Sequence, residues 1–459
     1  MKRKNESLRL NESQADSATE RRPPSGLAFM LRALRNKNYR LFFSGQSISL
    51  IGTWMTRIAT SWLVYRLTGS ALLLGIVGFA GQIPSFLLAP LAGVLVDRWN
   101  RHRLLIATQV LALLQSLALA VLALSGLIRI WHVIVLSVFQ GLINAFDMPA
   151  RLAFVVEMVE KREDLANAIA LNSSMVNAAR LLGPSIGGVV IAAVGEGWCF
   201  MTDAVSYVAV IVSLLAMTIT PRMLSATNDA NVLQQLREGW TYAVSFAPIR
   251  KVLLLLALVS LVGMPYTVLM PVFANEILHG GPSTLGLLMA ASGVGALIGA
   301  LFLAARKTVL GLGKFIPLMA GAFGAGLIIF SFTRVLWLSL GLMVVTGLGF
   351  MVQMAASNTV LQTIVEEDKR GRVMSFYTMA FMGTAPFGSL LAGSVAERIG
   401  APHTLLLGGV GCILGAIWFA ASLPSLRRDV RPIYVKIGIL PEMASAIQHS
   451  SELSVPPES

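Results

Sequence analysis

Few residues of this sequence suit catalysis, metal binding or disulfide formation. Of its 459 residues, 13% are charged, five are histidines and two are cysteines. An ordinary soluble domain carries about 25% charged residues, so the composition excludes that class. Two cysteines form no disulfide framework, and the His and Cys residues lack the spacing of a zinc site. Neither a P-loop nor a dinucleotide-binding glycine motif is present. We therefore expect no enzyme, no metal and no cofactor.

Long apolar segments make up most of the chain. Hydrophobic residues account for 55% of it, and the mean hydropathy is +0.72. A helix needs about 20 apolar residues to cross the hydrocarbon of a bilayer, and runs of this length recur from Leu41 to Pro424. The sequence therefore predicts an all-α membrane protein with twelve transmembrane helices, at residues 41–65, 71–96, 104–125, 132–155, 167–193, 198–219, 252–274, 284–305, 315–332, 336–360, 373–395 and 403–423.

Basic residues are distributed unevenly between the predicted loops. Of the 36 Lys and Arg residues, three lie within spans, four lie on one side of the membrane, and the rest lie on the side of the N-terminal tail. The positive-inside rule predicts that both termini are cytoplasmic. Residues 1–38 lack the apolar core and cleavage site of a signal peptide, so the first span is expected to stay in the mature protein. Basic loops beside anionic lipid explain the net charge of +13 without nucleic acid.

The chain divides into two similar halves. A polar segment, residues 221–250, is predicted to be a cytoplasmic loop between bundles at 39–220 and 251–424, with tails at 1–38 and 425–459. A shift of 206 positions aligns "GLINAFDMPARLAFVVEMVEKRE" (141–163) with "GLGFMVQMAASNTVLQTIVEEDK" (347–369), with six identical residues. The fourth span then falls on the tenth, as a parallel six-helix repeat requires. In this alignment Asp147 falls on Gln353, and Arg151 falls on Ser357.

The loop between the second and third spans reads "GVLVDRWNRHRLL", residues 93–105. Gly93 allows close helix contact, Asp97 can pair with a basic group or a helix end, and the arginines anchor the turn on the cytoplasmic face. The pattern of Gly93, Asp97, Arg98, Arg101 and Arg103 resembles the loop that identifies the major facilitator superfamily, although Asn100 stands where a second glycine is usual. The resemblance implies a cytoplasmic gate. The alternative is a basic turn with an incidental Asp.

The fifth span contains "ARLLGPSIGG", residues 179–188. Gly183, Gly187 and Gly188 give the helix a thin surface, and Pro184 removes one backbone hydrogen bond. This core resembles the fifth-span motif of antiporter branches of the same superfamily, which implies outward transport. Close packing of helices is the alternative interpretation.

Polar residues follow one face of three predicted helices in the N-terminal half. They are Gln140, Asn144, Asp147 and Arg151 in the fourth span, Ser173, Asn177 and Arg180 in the fifth, and Gln46, Ser49, Thr53, Arg57 and Thr60 in the first. Steps of three or four residues place each set on one helix face. Such faces avoid lipid, so we expect them to line the bundle interior or a watered cavity.

Asp147 is the residue whose role is most open. It lies about eight residues, or roughly 12 Å, from the predicted cytoplasmic end of its span, too deep for its short side chain to reach water. One interpretation is an Asp147–Arg151 pair that neutralises both charges. The other is that Asp147 exchanges a proton, or changes partner between Arg151 and Arg180, during transport. Asp203, near the start of the sixth span, is a weaker candidate for the same role.

Together, "LRNKNYRLFFSGQSISLIGTWM" (34–55), "NAFDMPAR" (144–151) and "RGRVMSFY" (370–377) resemble the major facilitator branch of the enterobactin exporter and related bacterial efflux proteins. The resemblance implies two pseudo-symmetric six-helix bundles around a central cavity in a bacterial inner membrane. It also implies proton-coupled export of a siderophore-like molecule or drug by a monomer. Arg57 and Arg180 suit an anionic ligand. An uptake carrier for an organic anion, or a transporter-like sensor, are the alternatives.

Overall fold

The computed structural model describes residues 31–159, 162–218, 241–306 and 308–439, without the side chains of residues 90, 94, 97, 162 and 163. All regular structure in this part is helical, which confirms the predicted class. The long helices are α1 (Lys37–Thr68), α2 (Ala71–Arg98), α3 (Arg101–Leu124), α4 (Ile130–Met158), α5 (Arg162–Val194), α6 (Glu196–Leu215), α7 (Ala247–Ile277), α8 (Pro282–Ala304), α9 (Leu312–Phe332), α10 (Leu336–Ile364), α11 (Glu367–Ile399) and α12 (Ala401–Lys436). They coincide in order with the twelve predicted spans.

Helix α1 is less apolar than the other spans. Within the described ranges, eleven helices are long and apolar enough by composition to cross a membrane, and α1 is not one of them. Two of its polar residues are covered by protein, since Gln46 and Ser49 are only 2% and 1% exposed. The helix packs against α5 and α6. Neighbouring helices therefore provide the surroundings that lipid would not provide for this sequence.

Contacts between helices repeat in the two halves of the chain. α1 packs on α6, α2 on α4, and α3 on both α4 and α6. The equivalent pairs α7–α12, α8–α10, α9–α10 and α9–α12 are also in contact. The ends of α4 and α10 match the repeat, because Ile130 and Leu336, and likewise Met158 and Ile364, are 206 residues apart. The expected pseudo-symmetric six-helix bundles are therefore present.

The halves meet along two equivalent pairs of helices, α5–α8 and α2–α11. Both pairs use glycines on the side of the bundle opposite to that on which α1 begins. A Cβ on Gly188 would lie 2.8 Å from Pro282 O and 2.9 Å from Gly286 Cα. A Cβ on Gly75 would lie 2.6 Å from Ser389 O. Backbones this close leave no space for a side chain, so the halves are tightly closed there.

Hydrogen bonds join the halves on the same side. The Glu397 carboxylate accepts the Leu72 backbone N–H at 3.1 Å and the Ser70 hydroxyl at 3.0 Å, at the start of α2. The Tyr65 hydroxyl donates to Glu276 at the end of α7. We call this side, where α1 ends and α2 begins, the closed side. The side on which α1 begins at Lys37 and α12 ends at Lys436 is called the tail side.

Helices α7 and α11 are both interrupted by π-helical turns. α7 contains π-helical turns at Val259–Gly263 and Phe273–Ile277, and α11 contains one at Met379–Gly383. Pro265 and Pro386 follow two of these turns, and proline cannot donate the backbone hydrogen bond that a regular helix needs. The Ser260 hydroxyl donates to Phe381 O at 2.5 Å and joins the two irregular segments.

Two short segments on the tail side are more ordered than the sequence suggests. The 3₁₀ turn Arg32–Arg35 precedes α1 within the predicted tail, and Ala33 N donates to Asn167 Oδ1 of α5 at 2.9 Å. At the other end, α12 continues to Lys436 instead of stopping near residue 424. Leu426 and Val430 are buried on this extension. Hydrophobic contact therefore continues the helix beyond the end that hydropathy predicts. Residues 221–240 of the predicted central loop lie outside the described ranges.

Candidate functional site

The short loop between α2 and α3 is attached to two other helices. Asn100 Oδ1 accepts the Arg103 N–H at 3.0 Å and begins α3. Arg101 forms an ion pair with Glu157 near the end of α4, at 2.7 Å. His102 Nε2 lies 2.8 Å from Leu214 O of α6. The loop thus connects α3 to the tail-side ends of α4 and α6, as a gate element would need.

The remaining members of the predicted gate are Gly93, Asp97 and Arg98. A Cβ on Gly93 would meet no atom of the described residues within 4 Å, so the close helix contact expected there is not present among them. The reason is that the halves meet on the closed side, and Gly93 lies near the opposite end of α2. The side chain of Asp97 lies outside the described part of the structure, and Arg98 is exposed at the end of the helix.

The glycine motif of α5 contacts helices on both of its sides. A Cβ on Gly183 would lie 3.0 Å from Ile51 O, and one on Gly187 would lie 3.2 Å from Met55 Cα, both in α1. Gly188 faces Gly286 in the other half, and Pro184 O also borders that glycine. The close-packing interpretation of the motif therefore describes these contacts directly. Its antiporter role stays a prediction.

Asp147 is buried between α3 and α4. It is 4% exposed, and its Oδ1 accepts Thr108 Oγ1 at 2.9 Å and Gln109 Nε2 at 2.7 Å. Its Oδ2 accepts the Arg151 guanidinium. The intrahelical pair expected from the sequence is thus present, and α3 adds two donors that the sequence interpretation missed. Gln109 itself was the available signal, since it is a polar residue within an apolar span.

The other members of the polar stripes form local contacts. Gln140 Nε2 donates to Asn144 Oδ1 at 3.1 Å within α4, and Asn177 Nδ2 donates to Ser173 O at 2.9 Å within α5. Gln353, the counterpart of Asp147, is fully buried, and neither polar atom of its amide has a partner among the described residues. At this position the N-terminal half therefore has the charged, hydrogen-bonded carboxyl group of Asp147, and the C-terminal half has the neutral amide of Gln353.

Arg57 of α1 and Arg180 of α5 meet at one tryptophan. The guanidinium carbons of Arg57 and Arg180 lie 4.7 Å and 5.2 Å from the centre of the Trp54 ring. Arg57 is eleven residues from the end of α1 at Thr68, which is about 16 Å along the helix axis and close to mid-membrane. Arg57 is nevertheless exposed. A side chain that is exposed at this depth borders either lipid or a cavity, and contact with lipid is strongly unfavourable for a charged group.

No acidic side chain neutralises these two arginines. Among the described residues, no carboxylate lies within ion-pair distance of Arg57 or Arg180, and Arg180 Nε has no hydrogen-bond partner. The guanidinium groups are close enough to repel each other. The predicted exchange of Asp147 between Arg151 and Arg180 is not seen here, because Asp147 faces α3 whereas Arg180 faces Trp54. Trp54 was missed from the sequence, although it stands three residues before Arg57.

The C-terminal half contributes to the surroundings of Arg180. A Cβ on Gly293 of α8 would lie 3.3 Å from Arg180 O, so the arginine lies at the contact between the halves. The Tyr266 hydroxyl of α7, which interacts electrostatically with Arg180, lies 2.7 Å from Ser292 Oγ. Two cations, an indole and a phenol–hydroxyl pair thus lie near the interface of the two bundles. Transporters of this architecture bind ligands between their repeats.

Residues 28–438 match the family model described as transmembrane secretion effector. The chain belongs to this family of the major facilitator superfamily. The matched range contains all twelve helices. The resemblance of the "GVLVDRWNRHRLL" loop to the major facilitator superfamily is therefore confirmed. Family membership also confirms the prediction of a multi-pass membrane transporter.

Curated relatives cover most of the chain. It is 27% identical over 385 residues to the staphyloferrin A transporter of Staphylococcus aureus, covering 83% of this chain and 95% of that protein. It is 30% identical over 386 residues to the multidrug efflux pump Tap of Mycolicibacterium fortuitum, covering 82% and 93%. It is 24% identical over 392 residues to macrolide efflux protein A of Streptococcus pyogenes, covering 83% and 95%. The names of these three relatives refer to chemically different substrates.

Solved structures confirm the fold. A bacterial homologue of the human lysosomal transporter Spinster, in an inward-facing and unoccupied conformation, aligns with a TM-score of 0.67 at 13% identity, covering 88% of this chain and 99% of that one. A bacterial homologue of the iron transporter ferroportin, in an inward-facing state, aligns with a TM-score of 0.65 at 17% identity, covering 84% and 98%.

Proposed function

We propose that this family member exports a small organic anion by alternating access, coupled to inward proton flow. It does so across a bacterial cytoplasmic membrane with both termini in the cytoplasm, as a monomer. Relatives named for a siderophore and for drugs support export of small organic molecules. The observation that carries the choice of an anion is the Arg57–Trp54–Arg180 cluster, which has two positive charges and no acidic partner in the described structure.

The charge of this cluster favours an anionic ligand. A cation deep in a membrane protein is normally paired with an acid or faces water, and cation–π contact with Trp54 contributes only about 0.5–2 kcal/mol per cation. A carboxylate or phenolate would accept charge-assisted hydrogen bonds from both planar guanidinium groups. The indole offers an apolar face to the carbon skeleton of the same ligand. An amphipathic anion therefore fits the cluster better than a cationic drug.

The closed side indicates from which side the ligand enters in this conformation. The halves are joined there by the Gly188–Gly286 and Gly75–Gly393 contacts and by hydrogen bonds to Glu397, whereas Arg57 is exposed. Access to Arg57 is therefore from the tail side. Under the positive-inside rule the tail side is cytoplasmic, so this state would load cytoplasmic ligand, as an exporter requires.

The experiment that tests the proposal is transport into inside-out vesicles under an imposed pH gradient. A tricarboxylate siderophore of the citrate type is the anionic probe, and a quaternary ammonium dye is the cationic one. We expect gradient-driven uptake of the anion and little uptake of the dye. Accumulation of the anion by intact cells, without efflux from loaded cells, would instead favour an uptake carrier.

Arg57→Gln and Arg180→Gln are expected to weaken anion transport. A hydrogen bond to a charged group contributes about 1.5–3 kcal/mol, so each change should raise the half-saturating anion concentration roughly 10-fold to 100-fold. Arg334→Gln is the matched control, because Arg334 is exposed in a loop on the closed side. Unchanged anion transport by both variants would contradict the assignment of the anion site to Arg57 and Arg180.

A further inference from the structure

A second carboxyl group is buried in the N-terminal half without a cation. Asp203 of α6 is 2% exposed. Its Oδ2 accepts Thr56 Oγ1 of α1 at 2.9 Å and Ser116 Oγ of α3 at 2.8 Å, and its Oδ1 has no hydrogen-bond partner in the described structure. Asp147 is different, because Arg151 neutralises it. Of the four carboxyl side chains that are buried in the described structure, Asp147, Asp164, Glu196 and Asp203, only Asp203 lacks a basic partner.

The surroundings of Asp203 are uncharged on every helix that packs against it. On α6 itself, Tyr207 and Cys199 are its titratable neighbours. From α1 it meets Gly52 and Thr56, and from α3 it meets Ser116. Glu196, at the start of α6, is paired with Arg66 at 2.7 Å. No Lys, Arg or His of the described ranges forms an ion pair with Asp203, and α5 contributes no charged partner.

A carboxylate in these surroundings would be an uncompensated buried charge. Burying such a charge without a partner costs several kcal/mol, whereas two hydroxyl donors and an unpaired Oδ1 accommodate a neutral acid. We propose that Asp203 is the proton-binding group of this transporter. It holds a proton in the conformation described here and releases it to water when α1 moves and the site is hydrated. This inference rests on the proposed proton-coupled export.

Helix α1 connects the proton site to the anion site. Thr56, which donates to Asp203, is adjacent in sequence to Arg57, which contacts Trp54. A Cβ on Gly52 would lie only 2.8 Å from Asp203 Oδ1, so the carboxyl is packed directly on the α1 backbone. Movement of α1 on ligand binding therefore changes the surroundings of Asp203 at the same time. Coupling between two sites requires such a shared element with two arrangements.

Two hydroxyl groups contact each other close to Asp203. Tyr207, one helical turn along α6, has its hydroxyl 3.4 Å from Thr53 Oγ1 of α1. The proton step is simple: the O–H bond of the acid breaks, the proton goes to water on one side, and the carboxylate takes a proton from water on the other.

The test compares Asp203→Asn and Asp147→Asn with the parent in inside-out vesicles. Two readouts are measured with the citrate-type probe: uptake driven by a pH gradient, and anion–anion exchange without a gradient. We expect Asp203→Asn to lose gradient-driven uptake by at least 10-fold while it keeps exchange, because asparagine preserves the shape but carries no transferable proton. Full gradient-driven uptake by Asp203→Asn would overturn the proposal. If the parent shows no gradient-driven uptake, proton coupling itself fails.

A milder pair of variants keeps the test valid if Asp203→Asn does not fold. Ser116→Ala removes one donor to Asp203, and Thr108→Ala removes one donor to Asp147 from the same helix. Loss of a donor to the ionised form should move the pH midpoint of exchange upward by about one pH unit, a tenfold change in proton affinity. We expect this shift for Ser116→Ala and not for Thr108→Ala. The reverse result would assign the proton to Asp147.

Discussion

At the residue scale, partners rather than residue type separate the ionisable residues within the spans of this protein. Asp147 has one guanidinium and two neutral donors, Asp203 has two hydroxyls, and Arg57 and Arg180 share an indole. A buried charge that is paired contributes to a defined structure, whereas an unpaired one is expensive and often functional. We therefore expect different consequences when each is removed.

Removal of Arg151 is expected to affect stability more than ligand binding. Arg151→Leu leaves the Asp147 carboxylate buried without its cation, which should lower the free energy of unfolding by about 2–4 kcal/mol. The double variant Asp147→Leu, Arg151→Leu should recover part of this loss, because no uncompensated charge remains. Thermal unfolding in detergent measures both. A double variant that is as unstable as the sum of the single variants would show that the pair contributes no coupling energy.

At the element scale, α5 and α1 perform both structural and functional roles. α5 packs its glycines on α1 and on α8, and α1 carries Arg57 against Trp54 and Thr56 toward α6. The helix that closes one side against α8 therefore also packs on the helix that carries Arg57. Changes in the glycine contacts should alter which side is open.

Gly188→Ala is expected to destabilise the closed side. The new Cβ would meet backbone atoms of Pro282 and Gly286 at 2.8 and 2.9 Å, which side-chain movement cannot relieve. Overpacking of this kind costs about 1–3 kcal/mol. This is enough to change the population ratio of the closed and open conformations by roughly fivefold or more. Labelling of Ser70→Cys by a membrane-impermeant maleimide should increase accordingly.

The control for this shift is Gly81→Ala, whose Cβ would lie no closer than 3.8 Å to its neighbours. Its labelling at position 70 should equal that of the parent. Both native cysteines are buried and unpaired, so they should contribute little background. Equal labelling in the Gly188 and Gly81 variants would mean that the glycine contact does not hold this side closed.

At the scale of the whole molecule, twelve helices and a basic tail side determine the expected orientation. An even number of spans places both ends of the chain on one side, and the excess of Lys and Arg in the tail-side loops assigns that side to the cytoplasm. A fluorescent protein fused after Ser459 should therefore fluoresce in bacterial cells, and an alkaline phosphatase fused there should be inactive. An active phosphatase fusion would reverse the orientation and, with it, the direction of transport.

Much of the fold was predictable, and less of the site was. Hydropathy located α2 through α11 within several residues of their ends, and the 206-residue repeat matched α4 with α10. Hydropathy did not locate the end of α12, where packing of Leu426 and Val430 extends the helix. Helical spacing predicted that Arg57 and Asp147 face away from lipid, and Asp147 is buried in the structure. It did not indicate that Thr108 and Gln109 bind Asp147, because those contacts join helices that are distant in the sequence.

The sequence alone determined the number and order of the helices and the positions of the charged residues within them. It did so because a bilayer demands about 20 apolar residues per helix whose backbone hydrogen bonds are all local. Only the tertiary structure decided which charges are neutralised. Arg151 lies within reach of Asp147 on the same helix, but the partners of Asp203 and Arg180 come from other helices brought together by packing. Within the described residues, that packing leaves Asp203 without a cation and both Arg57 and Arg180 without an acid.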